Sequence, residues 1–358
     1  MNKELEQLVE NARPCNAIPL LFHVLGRDNV SMSQNLASLS RIQYIQNYLS
    51  TTLLLRELKD VLSSLVDRGV EVIVLKGAAL VRNLYPDLGL RPMRDIDLLI
   101  HRKELPQAIE ILYDLGYQRH LPPARNGIEN LQGEVVCVKD GEFPIVIEPH
   151  WTLGPEYPYS GRIKAEGLWH RATRINLAGI DTLALCPEDA LLHLCLHQFQ
   201  HCQSFWLIPA CDIAELIRHY QGGLDWEAFL NRVLEFGLCL PVQYSLKKTF
   251  ELFHPPIPGF VFDELTSYKP SRFENRLFTL LVSLSGPVGG GNLAKLLTIP
   301  GIVQKLRYLC SILLPSKEWL MSYYSSSNPK PWSLYALHMK NVFLMGSKAL
   351  LRFAFWGK

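Results

Sequence analysis

The segment with the clearest pattern is residues 71–100, EVIVLKGAALVRNLYPDLGLRPMRDIDLLI. Its first part, 71–75, is short and β-branched, which predicts a buried strand. Lys76-Gly77 follows at once, and residues 78–85 are good helix formers. Residues 95–100 predict a second strand. The segment therefore predicts strand, glycine turn, helix, loop and strand, the pattern of an α/β protein.

Asp95 and Asp97 are two residues apart in the second predicted strand, so both carboxylates point to the same face. Two carboxylates so close repel each other unless a positive charge lies between them. A divalent cation is the usual solution, and hard oxygen ligands favour Mg²⁺ or Mn²⁺. The turn Lys76-Gly77 precedes a predicted helix, whose first backbone N–H groups attract phosphate. The pattern predicts a metal and phosphate site.

The rest of the sequence divides into three predicted parts. Residues 1–68 form an N-terminal helical segment, residues 69–185 an α/β core, and residues 186–358 a helical region with a basic end. Within the core, 104–115 predicts an amphipathic helix, and 134–138 and 143–148 predict two strands of a hairpin. The stretch after Leu153 is rich in Gly, Pro and Tyr and predicts a loop, with helices from Cys186 onward.

Further candidate site residues lie outside the quoted segment. Glu148 ends a predicted strand and supplies a third carboxylate; His150 follows on the same face. The alternatives are a salt-bridged Glu148 and a structural His150. Three histidines, His193, His197 and His201, share one helix face because they are four residues apart. His197 and His201 are candidates for lining the site; a zinc site and simple core packing are the alternatives.

Composition narrows the class of protein. Of 358 residues, 48% are hydrophobic and 20% charged, which excludes a disordered chain, a fibre and a disulfide-stapled miniprotein. The net charge of +2 argues against a dedicated nucleic-acid-binding protein. No secretory signal or membrane-spanning stretch is visible, and the eight cysteines form no CxxC pair. We expect a cytoplasmic protein with buried thiols.

The charge is unevenly distributed along the chain. Residues 295–358, here called the basic tail, contain nine lysines and arginines and one acid, Glu318. The tail therefore carries +8 and the residues before it −6. Its many aromatic residues allow contact with a membrane surface or nucleic acid. The alternative is a helical cap on the core with solvated basic side chains.

The ordered motifs resemble the nucleotidyltransferase superfamily with the DNA polymerase β-like fold. They are most similar to a branch of bacterial nucleotidyltransferase family proteins with largely unassigned substrates, over roughly residues 15–270. The matching segments are Leu75-Lys76-Gly77, Leu84-Tyr85, Arg91-Pro92-Met93-Arg94, Asp95-Ile96-Asp97-Leu98-Leu99, Leu115-Gly116-Tyr117 and Glu148-Pro149-His150-Trp151. Two departures stand out: Ala78 supplies no hydroxyl after Gly77, and the third acid is Glu148 where aspartate is common.

The resemblance implies a small mixed β-sheet core and a reaction at two Mg²⁺ or Mn²⁺ ions. Asp95, Asp97 and Glu148 are the implied metal ligands and catalytic residues. The implied nucleotide-binding residues are Lys76, Gly77, Arg91 and Arg94. The implied activity is transfer of an NMP from an NTP, ATP among them, to a hydroxyl of an acceptor, with release of pyrophosphate.

The acceptor stays open between a small molecule, a sugar, a peptide and a protein side chain. A non-catalytic relative that binds a nucleotide or a partner protein is the main alternative. A peripheral membrane assembly factor, with contact through the basic tail, is a third interpretation. The presence of all three carboxylates argues against both alternatives, because a site without catalytic activity has no physical need for them.

Overall fold

The computed structural model describes residues 3–25, 33–120, 133–154, 158–201, 207–283, 290–324 and 331–355. The chain folds into two compact units. The first contains residues 1–118, 137–151 and 164–268, and the second contains 119–136, 152–163 and 269–358. All candidate site residues belong to the first unit. The three-part division expected from the sequence stays a prediction.

The N-terminal segment is helical, as expected. Its helices are α1 (Lys3–Ala12), α2 (Ile18–Leu25) and α3 (Gln34–Asp67), with a short 3-10 turn at Arg13–Cys15. Helix α3 begins where the Ser33 side chain accepts a hydrogen bond from the Leu36 N–H, which satisfies one unpaired donor of the first turn. It ends before Gly69, whose φ of 73° gives the left-handed conformation that terminates helices.

The first unit contains a mixed β-sheet, which confirms the predicted α/β class. Its strands, in the described residues, are β1 (Val72–Val74), β2 (Ile96–Ile100), β3 (Gln118–Arg119), β4 (Cys137–Lys139), β5 (Ile145–His150), β6 (Thr173–Leu177) and β7 (Ile180–Ala184). Their order is β3-β4-β5-β2-β1-β7-β6. Strand β2 is antiparallel to β1 and parallel to β5, and both β1 and β2 are buried throughout. The two strands that carry the acids are therefore neighbours.

The predicted loop between Leu153 and Cys186 is wrong over much of its length. Helix α6 (Ala165–Arg171) and the hairpin β6–β7 lie there, and β7 pairs in parallel with β1. The hairpin turn is Ala178-Gly179, with φ values of 53° and 87°. Two residues with positive φ match the twist of a two-residue hairpin. Alternation around this short turn was the signal that the prediction missed.

Helices α4 (Lys76–Leu80) and α5 (Leu105–Asp114) connect the strands of the first unit. The helices that follow the sheet, still in this unit, are α7 (Pro187–Gln200), α8 (Leu207–His219), α9 (Trp226–Glu235), α10 (Cys239–Phe253) and α11 (Gly259–Ser267). Helices α7, α8 and α10 pack on one another, and α2 contacts α8. These contacts bring the N-terminal helices and α8 to the same part of the unit.

The second unit is helical where it follows the first in sequence. Its helices are α12 (Arg272–Ser283), α13 (Gly290–Thr298), α14 (Ile302–Leu313), α15 (Lys317–Tyr323) and α16 (Pro331–Phe355). Leu277, Leu280, Ala294 and Ala349 form its main apolar cluster. The predicted C-terminal helical region is therefore confirmed. Among the described residues, no helix combines the length and apolar character that crossing a membrane requires.

Candidate active site

The carboxylates of Asp97 and Glu148 lie side by side on adjacent strands. Asp97 is the second residue of β2 and pairs in register with Glu148 of β5, while Leu99 pairs with His150. Residues opposite each other in register project to the same face of a sheet. Asp95 lies just before β2. The register thus brings together Asp97, Glu148 and His150, as the alternation of the sequence predicted.

Asp97 is the most buried of these acids and has two cationic or polar neighbours. The Lys76 Nζ lies 2.7 Å from its Oδ1, and His150 Nε2 lies 2.8 Å from the same oxygen. Burial alone raises the pKa of Asp97, but the charge of Lys76 and the hydrogen bond from His150 outweigh it. The pKa is held well below its ordinary value. Asp97 is therefore a permanent negative charge at neutral pH.

Lys76 is held in place by its own backbone as well as by Asp97. It begins α4 directly after β1, and its φ of 43° is left-handed, an uncommon conformation for lysine. The Leu75 N–H donates to the Asp97 carbonyl at 3.0 Å, which fixes this turn against β2. Burial opposes the ammonium, yet the Asp97 carboxylate outweighs it and raises the lysine pKa. The turn therefore holds a cation at the acids.

Asp95 differs from Asp97 in its electrostatics. It is half-buried, and burial followed by the negative charge of Asp97 raises its pKa above the ordinary value. Lys76 and Arg91 act in the opposite direction but do not cancel these effects. A cation bound beside Asp95 would relieve this repulsion from the Asp97 charge. The pair therefore has a shortage of positive charge on the Asp95 side.

Within the described residues, one group of acids and histidines has ligand atoms close enough to share a metal ion. It consists of Asp97, Glu148 and His150, whose ligand atoms all lie within 4.8 Å of one another. Carboxylate oxygens suit Mg²⁺ and Mn²⁺, and an imidazole nitrogen is acceptable to Mn²⁺ and softer ions. This donor set fits a divalent cation. Asp95 is not a member of this group, so its role as a ligand and the presence of a second ion stay predictions.

Arg91, expected to bind nucleotide, is a buried partner of Asp212, an acid that was not among the predicted site residues. Its Nε and Nη2 donate to Asp212 Oδ1 and Oδ2 of α8 at 2.9 and 2.8 Å, and the Tyr85 hydroxyl donates to Oδ1 at 2.7 Å. Burial lowers the pKa of Arg91, but the Asp212 charge outweighs it and raises that pKa. Asp212 lies 121 residues from Arg91 in sequence, so no local pattern indicates this pairing.

Gly77 is a glycine because Arg91 lies against it. A Cβ added at Gly77 would be 2.6 Å from Arg91 Nη1 and 3.0 Å from Met93 Cγ. The guanidinium cannot move aside easily, because Asp212 holds it by two hydrogen bonds. Glycine here keeps the turn and the arginine in contact.

Gly77→Ala is therefore expected to destabilise the protein by about 1–3 kcal/mol through overpacking. Urea unfolding followed by circular dichroism would measure the change in free energy of unfolding. Gly259→Ala is the matched control, because nothing lies within 4 Å of its added Cβ. Equal effects of the two substitutions would contradict the packing argument.

A cleft of about 260 Å³ lies beside Asp95. Its polar lining residues are Lys76, Arg91, Arg94, Asp95, His197, His201 and Asp212. Arg94 is exposed and donates to the Pro14 carbonyl at 3.0 Å. His197 and His201 contact each other edge to face, with ring centroids 4.6 Å apart. The structure thus places the predicted Lys76, Arg91, Arg94, His197 and His201 around one cleft.

The zinc alternative for the histidine row has no support from the described residues, where His193, His197 and His201 do not form a group with a third close ligand. Cys202, a thiol next to His201 in sequence, lies outside the described residues. His193 is 2% exposed. Burial, followed by the positive charge of Lys76, holds its pKa well below the ordinary value. His193 is therefore neutral in the folded protein.

The protein is expected to lose stability as the pH falls below about 6.5, the ordinary histidine pKa. His193 and His197 both have lowered pKa values when folded, so the unfolded chain binds more protons below that pH. Stability then falls with decreasing pH, by up to about 1.4 kcal/mol per pH unit for each histidine. Urea unfolding at pH 7, 6 and 5 measures this slope.

His193→Gln should make the slope smaller by the share of one histidine. His219→Gln is the control, because His219 is exposed. The same slope in wild type and His193→Gln would refute the assignment of a neutral buried His193.

Comparison with protein-family models identifies a family for this chain. A family model described as uncharacterised nucleotidyltransferase matches residues 2–254, more than two thirds of the chain. Among solved structures, an antigenic nucleotidyltransferase-like protein from Paracoccidioides brasiliensis is similar at 18% identity and a TM-score of 0.36. The match covers 62% of this chain and 95% of that one. A search of curated proteins finds no match.

Proposed function

The chain belongs to the family of uncharacterised nucleotidyltransferases, and from this premise we propose that it transfers an NMP from an NTP to an acceptor hydroxyl. The observation that carries the proposal is the pairing of Asp97 with Glu148 across β2 and β5, with Lys76 at 2.7 Å from Asp97. Carboxylates with an adjacent ammonium, beside a cleft that Lys76 and Arg94 line, suit the binding of a metal–triphosphate complex.

Asp97, Glu148 and His150 are the residues proposed to hold a divalent cation, Mg²⁺ or Mn²⁺, with Asp95 as an additional ligand. When bound, such a cation neutralises the triphosphate and lowers the pKa of the attacking hydroxyl. His150 orients the Asp97 carboxylate through its 2.8 Å hydrogen bond. The low pKa of Asp97 keeps this carboxylate ionised for the cation.

In the proposed reaction the acceptor oxygen attacks the α-phosphorus, and the bond to the pyrophosphate oxygen breaks. The acceptor hydroxyl loses one proton, and Glu148 is the proposed recipient, because its side chain is 19% exposed against 2% for Asp97. Lys76 and Arg94 are proposed to contact the phosphates. Arg91 is proposed to act mainly by shaping the cleft, because Asp212 occupies its Nε and Nη2.

The first test is a thermal-shift panel of ATP, GTP, CTP and UTP, each with and without Mg²⁺ or Mn²⁺. A ligand at about 100 times its Kd adds roughly 2.7 kcal/mol of apparent stability, enough to shift the melting temperature. A shift that requires both metal and nucleotide supports the proposal and names the donor base. Metal-independent nucleotide binding, without release of pyrophosphate across a panel of hydroxyl acceptors, would favour the non-catalytic alternative. A cytoplasmic location remains part of the proposal.

A further inference from the structure

Helix α16 of the second unit presents an unusually apolar outer surface. Eight of its large apolar side chains are more than 40% exposed, and they are Trp332, Leu337, Met339, Phe343, Leu344, Met345, Leu350 and Leu351. The helix is 25 residues long, about 37 Å at the rise of an α-helix. Monomeric soluble proteins rarely leave so much contiguous apolar surface in water. This face of α16 is suited to contact with another surface.

Other residues of α16 pack against the core of its own unit. Leu334, His338 and Ala349 are buried, and α16 packs on α12, α13, α14 and α15. His338 is additionally held by the Ile312 carbonyl, at 2.6 Å from its Nε2. The exposed residues are therefore a second apolar face, which the internal packing of the unit does not use.

Four of the exposed side chains form a continuous stripe. Trp332, Met339, Phe343 and Leu350 are separated by seven, four and seven residues, which places them within about 40° of one another around the helix. Their exposures range from 41% for Met339 to 75% for Phe343. A flanking arc carries Leu344 and Leu351. We call this surface, Trp332 to Leu351 on the outer side of α16, the apolar face.

The charges on α16 have a single sign. The helix sequence contains Lys340, Lys348 and Arg352 and no acidic residue. Lys340 and Lys348 are exposed. By the same helical rotation, Lys340 lies between the stripe and the flanking arc, and Lys348 lies beyond the arc. Helix α14 of the same unit repeats this composition, with exposed Ile302, Val303 and Leu306 interleaved with Lys305 and Arg307. Any partner must therefore accept apolar side chains and supply negative charge.

We propose that the apolar face of α16 docks on the surface of a bilayer that contains anionic lipids. A helix that lies in such an interface buries its apolar side chains among the acyl chains and keeps its lysines at the headgroups. Anionic headgroups complement Lys340 and Lys348, which accounts for the absence of acids. Trp332 is the type of residue enriched at the membrane–water boundary. The protein would thereby act at a membrane surface without spanning it.

Two other occupants fit the same surface less well. A second copy joined through this face would bring Lys340 and Lys348 near their own equivalents, and like charges disfavour that contact. A nucleic acid would need aromatic rings for stacking and a row of cations for phosphates. The apolar face is instead mainly aliphatic, with Lys340 within it and Lys348 at its edge, too few cations for a row of phosphates. Its composition thus favours lipid.

The test is flotation of the full chain with vesicles of phosphatidylcholine, with or without about 30% phosphatidylglycerol. We expect the wild type to float with the anionic vesicles and to be released in part by salt, because screening weakens the lysine contribution. Phe343→Ser/Leu350→Ser should reduce the partition coefficient about tenfold or more, since binding scales with buried apolar area. Lys340→Gln/Lys348→Gln should remove most of the preference for anionic vesicles.

Phe143→Ser is the matched control, because Phe143 is 68% exposed but lies in the first unit, before β5. It should float like the wild type. Circular dichroism melts verify that each variant remains folded.

The proposal is overturned if the wild type stays with the unbound fraction, or if Phe343→Ser/Leu350→Ser floats as well as the wild type. Light scattering that shows a dimer, dissociated by the same double substitution, would overturn it in favour of a second copy. RNA that displaces the vesicles from the wild type would assign the face to nucleic acid.

Discussion

Asp97→Asn is expected to lower the affinity for the metal–nucleotide complex by at least about 100-fold. Loss of a residue that only supports a ligand costs about 10–100-fold in metal affinity, and Asp97 is proposed as a ligand itself. The substitution removes the charge that Lys76 and His150 both contact. It also leaves the Lys76 ammonium buried without its carboxylate, a loss of about 3–5 kcal/mol for a broken buried pair. Thermal shift with each NTP and metal, at a temperature where the variant is folded, measures the binding loss.

Glu148→Gln separates binding from folding in this experiment. Glu148 has a more exposed side chain than Asp97 and makes a longer contact with His150, 3.8 Å against 2.8 Å. Its neutralisation should abolish metal-dependent binding at a smaller cost to stability. Asp181→Asn is the control, because Asp181 is an exposed acid of the same sheet, on β7. Wild-type binding by both Asp97→Asn and Glu148→Gln would disprove a metal site between these strands.

Asp212→Asn is expected to lower the free energy of unfolding by about 3–5 kcal/mol, because it leaves a buried guanidinium unpaired. The side chains of Asp212 and Arg91 are 1% and 9% exposed. Asparagine preserves the shape and one acceptor oxygen, so the loss comes from the missing charge and from the second bond to Arg91. Urea unfolding at pH 7 measures the change. A loss below about 1 kcal/mol would match an exposed ion pair and contradict this account.

A double-mutant cycle distinguishes the ion pair from general disruption of α8. Arg91→Met combined with Asp212→Leu replaces both charges with apolar groups, which is often neutral for a buried pair. We expect the double variant to be more stable than Asp212→Leu alone. With Arg91→Met and Asp212→Leu as the two single variants, the cycle should give a coupling energy of about 0.5–3 kcal/mol. Costs that simply add would show that the pair has no special role.

The α/β class followed from local patterns in the sequence. The two predicted strands of residues 71–100 appear as β1 and β2. The predicted turn and the helix over 78–85 are corrected, because Lys76 and Gly77 are the first residues of α4, which ends at Leu80. Short strands, helix ends and acid alternation depend on neighbouring residues, so a single sequence reveals them. The hairpin β6–β7 was missed because its strands are short and few of their residues are buried. Its place beside β1 depends on pairing with a strand about 110 residues earlier in sequence.

The features of the candidate site likewise depend partly on local sequence and partly on distant contacts. The pair Asp95 and Asp97 and the neighbouring Glu148 and His150 were selected from alternation and motif alone. Their electrostatics were not, because the low pKa of Asp97 arises from Lys76 and His150, residues from two other elements. The pairing of Arg91 with Asp212 likewise depends on the packing of α8. Local sequence specifies which groups are present and on which face they lie. Burial and long-range contacts specify their charge states and partners, because those depend on which distant segments exclude water around them.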